Sequence, residues 1–150
     1  MSGIKKHGMI YSSEYRIWQG LKNRCLNSKG RDYKYYGGRG IKVCDRWRDS
    51  FLNFYEDMGE RPEGTSLDRI DVNGDYNSDN CRWVNNIIQA RNKRTPVNNK
   101  SGVRGVYVHK KSNKWIANIY VNNKRIYLGV FSEKEDAVKA RKEAEKKFWK

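Results

Sequence analysis

The stretch LDRIDVNGDYNSDNCRWVNNIIQ, from Leu67 to Gln89, decides the fold of the N-terminal half of this chain, and we call it the organising stretch. A short strand is predicted around Ser66 to Ile70, and a second around Cys81 to Val84. The residues between them, Asp71 to Asp79, are polar and contain Asn, Asp and Gly, as is typical of a loop. A helix is expected from Asn85 to about Arg94. The order of elements is therefore strand, strand, helix.

A helix and a short strand are predicted further upstream. The helix begins after Ser12 or Ser13 and ends between Asn27 and Gly30. Four residues recur at helical spacing along one face: Tyr15, Trp18, Leu21 and Cys25. The glycine-rich segment from Tyr35 to Gly40 is expected to form a tight turn that leads into a strand from Ile41 to Cys44.

A second helix is predicted immediately before the organising stretch. Its N-cap is Asp49 or Ser50, whose side-chain oxygen can accept a hydrogen bond from an unpaired backbone N–H group of the first turn. Gly59 ends the helix. One apolar face contains Phe51, Phe54, Tyr55 and Met58. Two helices should therefore pack around the strand, strand, helix unit.

The C-terminal part has a different pattern, with three alternating runs and one helix. The runs, which predict strands, are Val103–His109, Lys114–Val121 and Lys124–Phe131. Asn122 and Asn123 predict a two-residue hairpin turn. Ser132 is expected to cap the last helix, with Glu135 three residues later. This helix presents a packing stripe formed by Ala137, Ala140, Ala144 and Phe148. A three-stranded antiparallel sheet packed on one helix is expected.

The segment from Asn92 to Gly102, NKRTPVNNKSG, separates the two patterns. It has no apolar periodicity and contains Pro96, so it is predicted to be an exposed basic linker. The predicted domains are residues 1–92, the linker 93–102 and residues 103–150. The fold class is α+β, and a chain of 150 residues has room for two very small domains.

The distribution of charge points to nucleic acid. The chain has 32 Lys and Arg against 17 Asp and Glu, which gives a net charge of +15. No carboxylate occurs between Asp79 and Glu133, although that interval contains eleven Lys or Arg together with Tyr107, Trp115 and Tyr120. A basic tract interleaved with aromatic residues is typical of proteins that bind the phosphate backbone, and solubility alone would be served by mixed charges.

The cysteines and the hydropathy restrict the environment. Cys25, Cys44 and Cys81 occur singly, without a C-x-x-C pair, which favours buried thiols in a reducing cytosol over disulfides. A zinc site that combines these cysteines with His7 is chemically sufficient and stays open as an alternative. No apolar run is long enough to cross a membrane, and no secretory signal is seen, so a cytosolic protein is expected.

The organising stretch resembles the HNH, or ββα-metal, nuclease family. The motifs that carry the resemblance are HGM, YGGRGI, DMG-RP, LDRID, GDY and NCRW, in this order across residues 7–94. They are similar to the small HNH proteins of bacteriophages and mobile endonucleases. The resemblance implies that Asp68 and Gln89 bind one divalent cation. It also places Arg69 and Asn80 in the catalytic site.

Two positions depart from the family pattern. Arg69 stands where the general-base histidine is expected, and an arginine stays protonated, so it is expected to bind the scissile phosphate instead. The base is then expected to be His7, Tyr36 or the neighbouring Tyr35. Gln89 offers a neutral amide oxygen, which suits Mg²⁺, or Mn²⁺, better than Zn²⁺. Asn92, one turn later, is an alternative ligand.

Residues 101–149 resemble the ERF-type (APETALA) DNA-binding domain. The matching residues are Arg104-Gly105-Val106, Trp115 to Ile119 and Leu128 to Phe131, followed by the alanine-bearing helix. In that family the sheet lies in the major groove of double-stranded DNA. The resemblance implies a set of DNA-facing residues: Arg104, Tyr107, His109, Asn118, Tyr120, Arg125 and Tyr127. Trp115 is expected to pack between the sheet and the helix.

The sequence thus predicts a metal-dependent endonuclease, similar to a homing endonuclease, that cuts or nicks double-stranded DNA. The alternative is a DNA-binding regulator that keeps the HNH fold but has lost catalysis, which the arginine at position 69 favours. An EF-hand reading of the loop after Asp71 is rejected because Arg82 occupies the position of the essential bidentate glutamate.

Overall fold

A computed structural model describes residues 8–149 and has a mixed α+β architecture. The chain forms two compact units, Met1–Lys93 and Arg94–Lys150. Within the described residues, no helix is both long and apolar enough to cross a membrane.

Three helices open the N-terminal unit: α1 (Ser13–Leu26), α2 (Asp45–Arg48) and α3 (Phe51–Met58). The hydroxyl of Ser12 accepts a hydrogen bond from the backbone N–H of Tyr15, and Ser50 caps α3 in the same way through the N–H of Asn53. Gly59 ends α3 with a φ of +66°, in the left-handed region that favours glycine. The predicted limits of α1 and α3 are confirmed.

The segment predicted as a strand from Ile41 to Cys44 is not one. Two short 3-10 turns, Tyr33–Tyr35 and Gly37–Arg39, precede it, and a single parallel bridge joins Val43 to Tyr76. The prediction was wrong because apolar alternation over four residues reports burial of the side chains, and both Ile41 and Val43 are indeed buried. Among residues 8–149, no neighbouring strand extends the bridge into a ladder.

The organising stretch forms β1 (Thr65–Arg69), β2 (Cys81–Asn85) and α4 (Asn86–Arg91). The strands are antiparallel, with Asp68 opposite Arg82 and Arg69 opposite Cys81. The carboxamide of Asn85 caps α4 by accepting from the N–H of Ile88. The helix is shorter than predicted and ends before Asn92.

Large side chains fill the core of the N-terminal unit. Its fully buried members include Leu21, Trp47 and Phe54, and the Trp47 and Phe54 rings meet edge to face at 5.0 Å. The indole N–H of Trp18 donates to the carbonyl of Trp47 at 2.6 Å, and that of Trp47 donates to the carboxylate of Asp57 at 2.7 Å. Apolar burial and specific hydrogen bonds therefore fix the same helices.

The C-terminal unit contains one sheet and one helix. The sheet has the order β3 (Val106–His109), β4 (Lys114–Val121) and β5 (Lys124–Phe131), and both pairs are antiparallel. Asn122 and Asn123 have φ values of 48° and 62°, which suits the predicted two-residue hairpin turn. A register shift interrupts the β4 and β5 pairing between Ala117 and Asn118.

Helix α5 (Lys134–Phe148) packs on one face of this sheet. Ala137 and Ala144 from the predicted stripe are buried, and Trp115 packs against the same core as predicted. The predicted cap is wrong, since Glu133 occupies the N-cap without a side-chain hydrogen bond.

A buried arginine, Arg141, also lies in this interface. Its guanidinium donates to the backbone carbonyl of Asn118 and to the carboxylate of Glu145, 2.8 Å away. A side chain at Gly105 would collide with that guanidinium and with the Asn118 carbonyl. Glycine at this position is therefore required by its φ of +81° and by the close approach of the Asn118 carbonyl.

The segment predicted as an exposed linker is partly folded. Residues 93–102 have no helix or strand, and the boundary between the units falls between Lys93 and Arg94. Ser101 is nevertheless buried, and its hydroxyl donates to the carbonyl of Val106 at 2.7 Å. The last residues of this segment thus belong to the start of the C-terminal unit.

Candidate functional sites

Strand alternation separates the two residues that were expected to act together. Neighbouring side chains of a strand point to opposite faces, and Asp68 and Arg69 follow that rule. Asp68 contacts Arg82 and Asn92, whereas Arg69 contacts Tyr36, Tyr76 and the loop after β1. The predicted catalytic residues therefore form two clusters, one on each face of β1.

Asp68 is the buried carboxylate of the first cluster. Only 8% of the residue is exposed, and its Oδ2 lies 3.3 Å from Nε and from one terminal nitrogen of Arg82. The side-chain Nδ2 of Asn92 donates to both carboxylate oxygens, at 3.2 and 3.0 Å, and to the carbonyl of Arg69. The guanidinium of Arg82 and the amide of Asn92 thus compensate the cost of burying the negative charge of Asp68.

The end of α4 decides which amide reaches Asp68. Asn92 follows the last helical turn, and its backbone N–H donates to the carbonyl of Ile88. Gln89, the predicted metal ligand, lies inside α4 and makes no hydrogen bond to Asp68. The structure therefore places the alternative residue, Asn92, beside the carboxylate in the position that the resemblance gave to Gln89.

Arg69 is held on the opposite face by aromatic rings. Its guanidinium carbon lies 4.7 Å from the centre of the Tyr76 ring and 5.2 Å from that of Tyr36. A terminal nitrogen donates to the carbonyl of Gly74 at 2.8 Å. Arg69 consequently faces away from the carboxylate of Asp68.

Asn80 closes the loop that joins β1 to β2. Its Oδ1 accepts from the backbone N–H of Asp71 at 2.8 Å, and its Nδ2 donates to the carbonyls of Asp71 and Asp75 at 3.0 and 2.9 Å. These bonds tie both ends of the loop to one amide, which fixes the loop geometry. Asn80 thus positions the loop without touching Asp68.

The three expected bases have different surroundings. His7 lies outside the described residues. Tyr35 is half exposed, and its ring lies under the ammonium group of Lys34. Tyr36 is partly buried and stacks on Tyr76, with a ring separation of 6.4 Å. Tyr36 therefore lies beside Arg69, whereas Tyr35 lies at the surface.

Two of the cysteines are core residues. Cys25 and Cys81 are buried, and burial raises the pKa of each thiol to about 11, so both stay neutral near pH 7. Cys44 is half-buried, and burial raises the pKa of its thiol as well. Within residues 8–149, no group of three or more His, Cys, Asp or Glu side chains could hold a metal ion.

The second candidate site is the sheet face opposite α5. Val106, Ala117 and Ile119 are buried on the helix side, so the alternate residues point outward. Six of the seven predicted DNA contacts retain exposed surface: Arg104, Tyr107, His109, Tyr120, Arg125 and Tyr127. The seventh, Asn118, is 7% exposed and offers little surface to a partner in this conformation.

Aromatic and apolar side chains occupy the middle of this outward face. Tyr107, Tyr120 and Tyr127 are 43%, 58% and 59% exposed. In the strand register, Ile116 is paired with Tyr107 on one side and with Val130 on the other. Ile116 and Val130 are thus apolar neighbours on this face. The sequence prediction did not include them, although both follow the strand alternation. With its tyrosine hydroxyls and basic margin, the face can donate hydrogen bonds to phosphate and contact base edges.

No family model, curated protein or solved structure matches this chain. Functional interpretation therefore depends on the geometry of the two sites.

Proposed function

We propose that this protein is a metal-dependent endonuclease of the HNH type that hydrolyses phosphodiester bonds in double-stranded DNA. The observation that carries the proposal is the pairing of a buried carboxylate, Asp68 on β1, with the amide of Asn92 at the end of α4. A strand, strand, helix unit that brings a carboxylate and a second oxygen ligand together is the arrangement that such a nuclease needs.

The residues beside Asp68 fit a hard divalent cation. The carboxylate supplies two oxygens, and rotation of the Asn92 amide about its last bond presents Oδ1 in place of Nδ2. Mg²⁺ is commonly held by one or two carboxylates together with water and substrate phosphate, so a small protein ligand set suffices. When bound, the cation would stabilise negative charge on the phosphate and the leaving oxygen.

Arg82 gains a role that sequence reasoning had not given it. Its guanidinium pairs with Asp68 from the neighbouring strand, and its side chain is partly exposed. The flexible side chain can exchange the carboxylate for a DNA phosphate, since arginine binds both through the same planar donors. Arg82 then holds the substrate while Asp68 is released for the cation.

The outward sheet face of the C-terminal unit is the proposed DNA-recognition surface. It combines the three exposed tyrosines with Arg125, and Arg104 lies just before β3; the tract that holds them contains no carboxylate. Phosphate contacts would set the affinity, and contacts to base edges would set the sequence preference. The enzyme would in this way cut near preferred sites, as a homing endonuclease does.

Cleavage of supercoiled plasmid tests the proposal directly. We expect nicked or linear product with Mg²⁺ or Mn²⁺ and none with EDTA. Asp68→Ala should abolish cleavage but leave DNA binding in EDTA nearly unchanged, and Asn92→Ala should lower the apparent affinity for the metal. Glu63→Ala, which removes an exposed carboxylate of the same unit, is the matched control. Full activity of Asp68→Ala, or cleavage in EDTA, would contradict the proposal.

A second candidate, a DNA-binding regulator without catalysis, is favoured by one observation. Asp68 is already compensated by Arg82 and Asn92, and Arg69 cannot accept a proton. For that function, plasmid would stay intact with every metal while DNA binding persists. The same assay therefore separates the two candidates.

A further inference from the structure

Two arginines share one pair of tyrosine rings on the face of β1 that is opposite Asp68. The guanidinium carbon of Arg24, on α1, lies 5.0 Å from the centre of the Tyr36 ring and 5.6 Å from that of Tyr76. The corresponding distances from Arg69 are 5.2 and 4.7 Å. The rings are stacked with centres 6.4 Å apart. Both guanidinium groups therefore lie within 5.6 Å of the centres of the same two rings.

Within residues 8–149, no carboxylate is ion-paired with either of these two cations, Arg24 and Arg69. Burial raises the pKa of Tyr76 to about 12, so its hydroxyl stays neutral. The carboxylate of Asp75 keeps its charge, but it accepts a hydrogen bond from the backbone N–H of Lys42 at 2.8 Å and is not ion-paired with either arginine. Two like charges beside the same rings, neither of them ion-paired, favour the binding of an anion.

Most donors of the two guanidinium groups also lack a hydrogen-bond partner within the described part of the chain, residues 8–149. Nε of Arg24 donates to the carbonyl of Gly20 at 3.2 Å, and one terminal nitrogen of Arg69 donates to the carbonyl of Gly74. Each guanidinium has five N–H groups in a rigid planar fork, which matches the oxygens of phosphate. Both side chains are half-buried, so a bound anion would be partly shielded from salt.

We propose that Arg24 and Arg69, steadied by Tyr36 and Tyr76, form a phosphate-binding site for the backbone of DNA. The choice of DNA as the source of the phosphate rests on the proposed function, but the anion site itself does not. Because Arg69 and Asp68 occupy opposite faces of β1, this phosphate is a different one from that beside Asp68. The site anchors the duplex and takes no part in bond cleavage.

The first experiment uses inorganic phosphate as the probe. The Nε–H signals of the arginines are followed by NMR in EDTA while phosphate replaces chloride at constant ionic strength. We expect the Arg24 and Arg69 signals to move together and saturate. Arg16, an exposed arginine on the same helix, is the control whose signal should stay in place. Unmoved Arg24 and Arg69 signals, or equal movement of Arg16, would overturn the anion site.

The second experiment identifies the source of the phosphate. Binding of a 20-base-pair duplex is measured in EDTA across a range of salt concentrations, for Arg24→Ala, Arg69→Ala and Arg16→Ala. Loss of one phosphate contact should reduce the slope of log K against log salt by roughly 0.9 in the first two variants and leave the third unchanged. Arg24→Lys, which keeps the charge, should preserve most of the slope.

The outcomes separate three cases. Reduced slopes together with phosphate-induced NMR shifts support the proposal. Shifts with unchanged slopes would assign the site to free phosphate and overturn the DNA assignment. Lower melting temperatures with unchanged slopes and unmoved signals would show that the arginines only pack against the tyrosines. Since neither experiment contains metal or measures cleavage, failure here leaves the endonuclease test unaffected.

Discussion

The two units achieve stability in different ways. The N-terminal unit buries large rings, among them Trp18, Trp47 and Phe54, between short helices and turns. The C-terminal unit has a small core of Val106, Ala117 and Ala137, and most of its length is regular sheet and helix. Irregular backbone in the first unit depends on side chains for its shape. In the second unit, backbone pairing already provides the shape.

This difference should be visible in which substitutions matter. A ring that fills the first core touches several elements at once, so its loss should affect the whole unit. In the second unit the largest losses should come from polar contacts that connect the helix to the sheet. Four substitutions, in order of decreasing effect, test this contrast.

The largest effect is expected for Trp47→Ala. The side chain is fully buried and hydrogen-bonds Asp57, so its removal should destabilise the N-terminal unit by about 3 to 5 kcal/mol. Hydrogen exchange measured by mass spectrometry should show that α1 and α3 lose protection while β3 to β5 keep theirs. Leu52→Ala, at an exposed position of α3, should change stability by less than about 0.5 kcal/mol. Equal loss of protection in both units would mean that they unfold together.

Arg141→Ala should have the next largest effect, and it should be confined to the C-terminal unit. It leaves the buried carbonyl of Asn118 without its donor, which costs about 1 to 3 kcal/mol. Denaturant unfolding and the exchange rate of amides in β4 are the measurements. Lys142→Ala, the exposed neighbour on α5, is the control. An unchanged free energy of unfolding in Arg141→Ala would show that water replaces the guanidinium at no cost.

Asn80→Ala tests the dependence of irregular backbone on one side chain. The amide makes three hydrogen bonds to the loop, and their loss should cost about 1 to 2 kcal/mol and speed exchange at Asp71. Asn80→Asp keeps the acceptor but places a carboxylate oxygen against the carbonyls of Asp71 and Asp75, so it should destabilise the loop at least as much as Asn80→Ala. Ser78→Ala, at an exposed position of the same loop, should have no effect. Unchanged exchange at Asp71 in Asn80→Ala would argue against this role.

The smallest effect on stability is expected for Tyr120→Ala on the outward sheet face. Because the ring is mostly exposed, the free energy of unfolding should change by less than about 0.5 kcal/mol. Binding to duplex DNA in EDTA should nevertheless weaken by about 1 kcal/mol, the value of one hydrogen bond. Tyr11→Ala removes another exposed tyrosine from the N-terminal unit and serves as the control. Unchanged DNA binding in Tyr120→Ala would remove this ring from the proposed interface.

Local signals in the sequence were sufficient for most helices and strands. Ser12 and Ser50 cap their helices as predicted, and the asparagine pair at 122 and 123 forms the predicted hairpin turn. These features depend on neighbours within a few residues, which the sequence displays directly. The segment from Ile41 to Cys44 failed because a strand also needs a distant partner.

The composition of each candidate site could also be read from the sequence, but its geometry could not. The sequence singled out Asp68, Arg69 and Asn80 as one catalytic group. In the structure, Asp68 meets Asn92 and Arg82, Arg69 meets two tyrosines that Arg24 also contacts, and Asn80 ties the loop. Sequence spacing does not tell which residue beyond a helix end reaches back to a strand, since that depends on where the helix stops.

The sequence by itself determined the order of the elements, the carboxylate-free basic tract and the residue types available for chemistry. Only the tertiary structure decided which of those residues meet. Strand alternation sends Asp68 and Arg69 to opposite faces, and the packing of α1 against the turns brings Arg24 to the rings beside Arg69. The contact of Arg24 with Tyr76, 52 positions later in the chain (76 − 24), depends on the packing of whole elements, which local propensity does not encode.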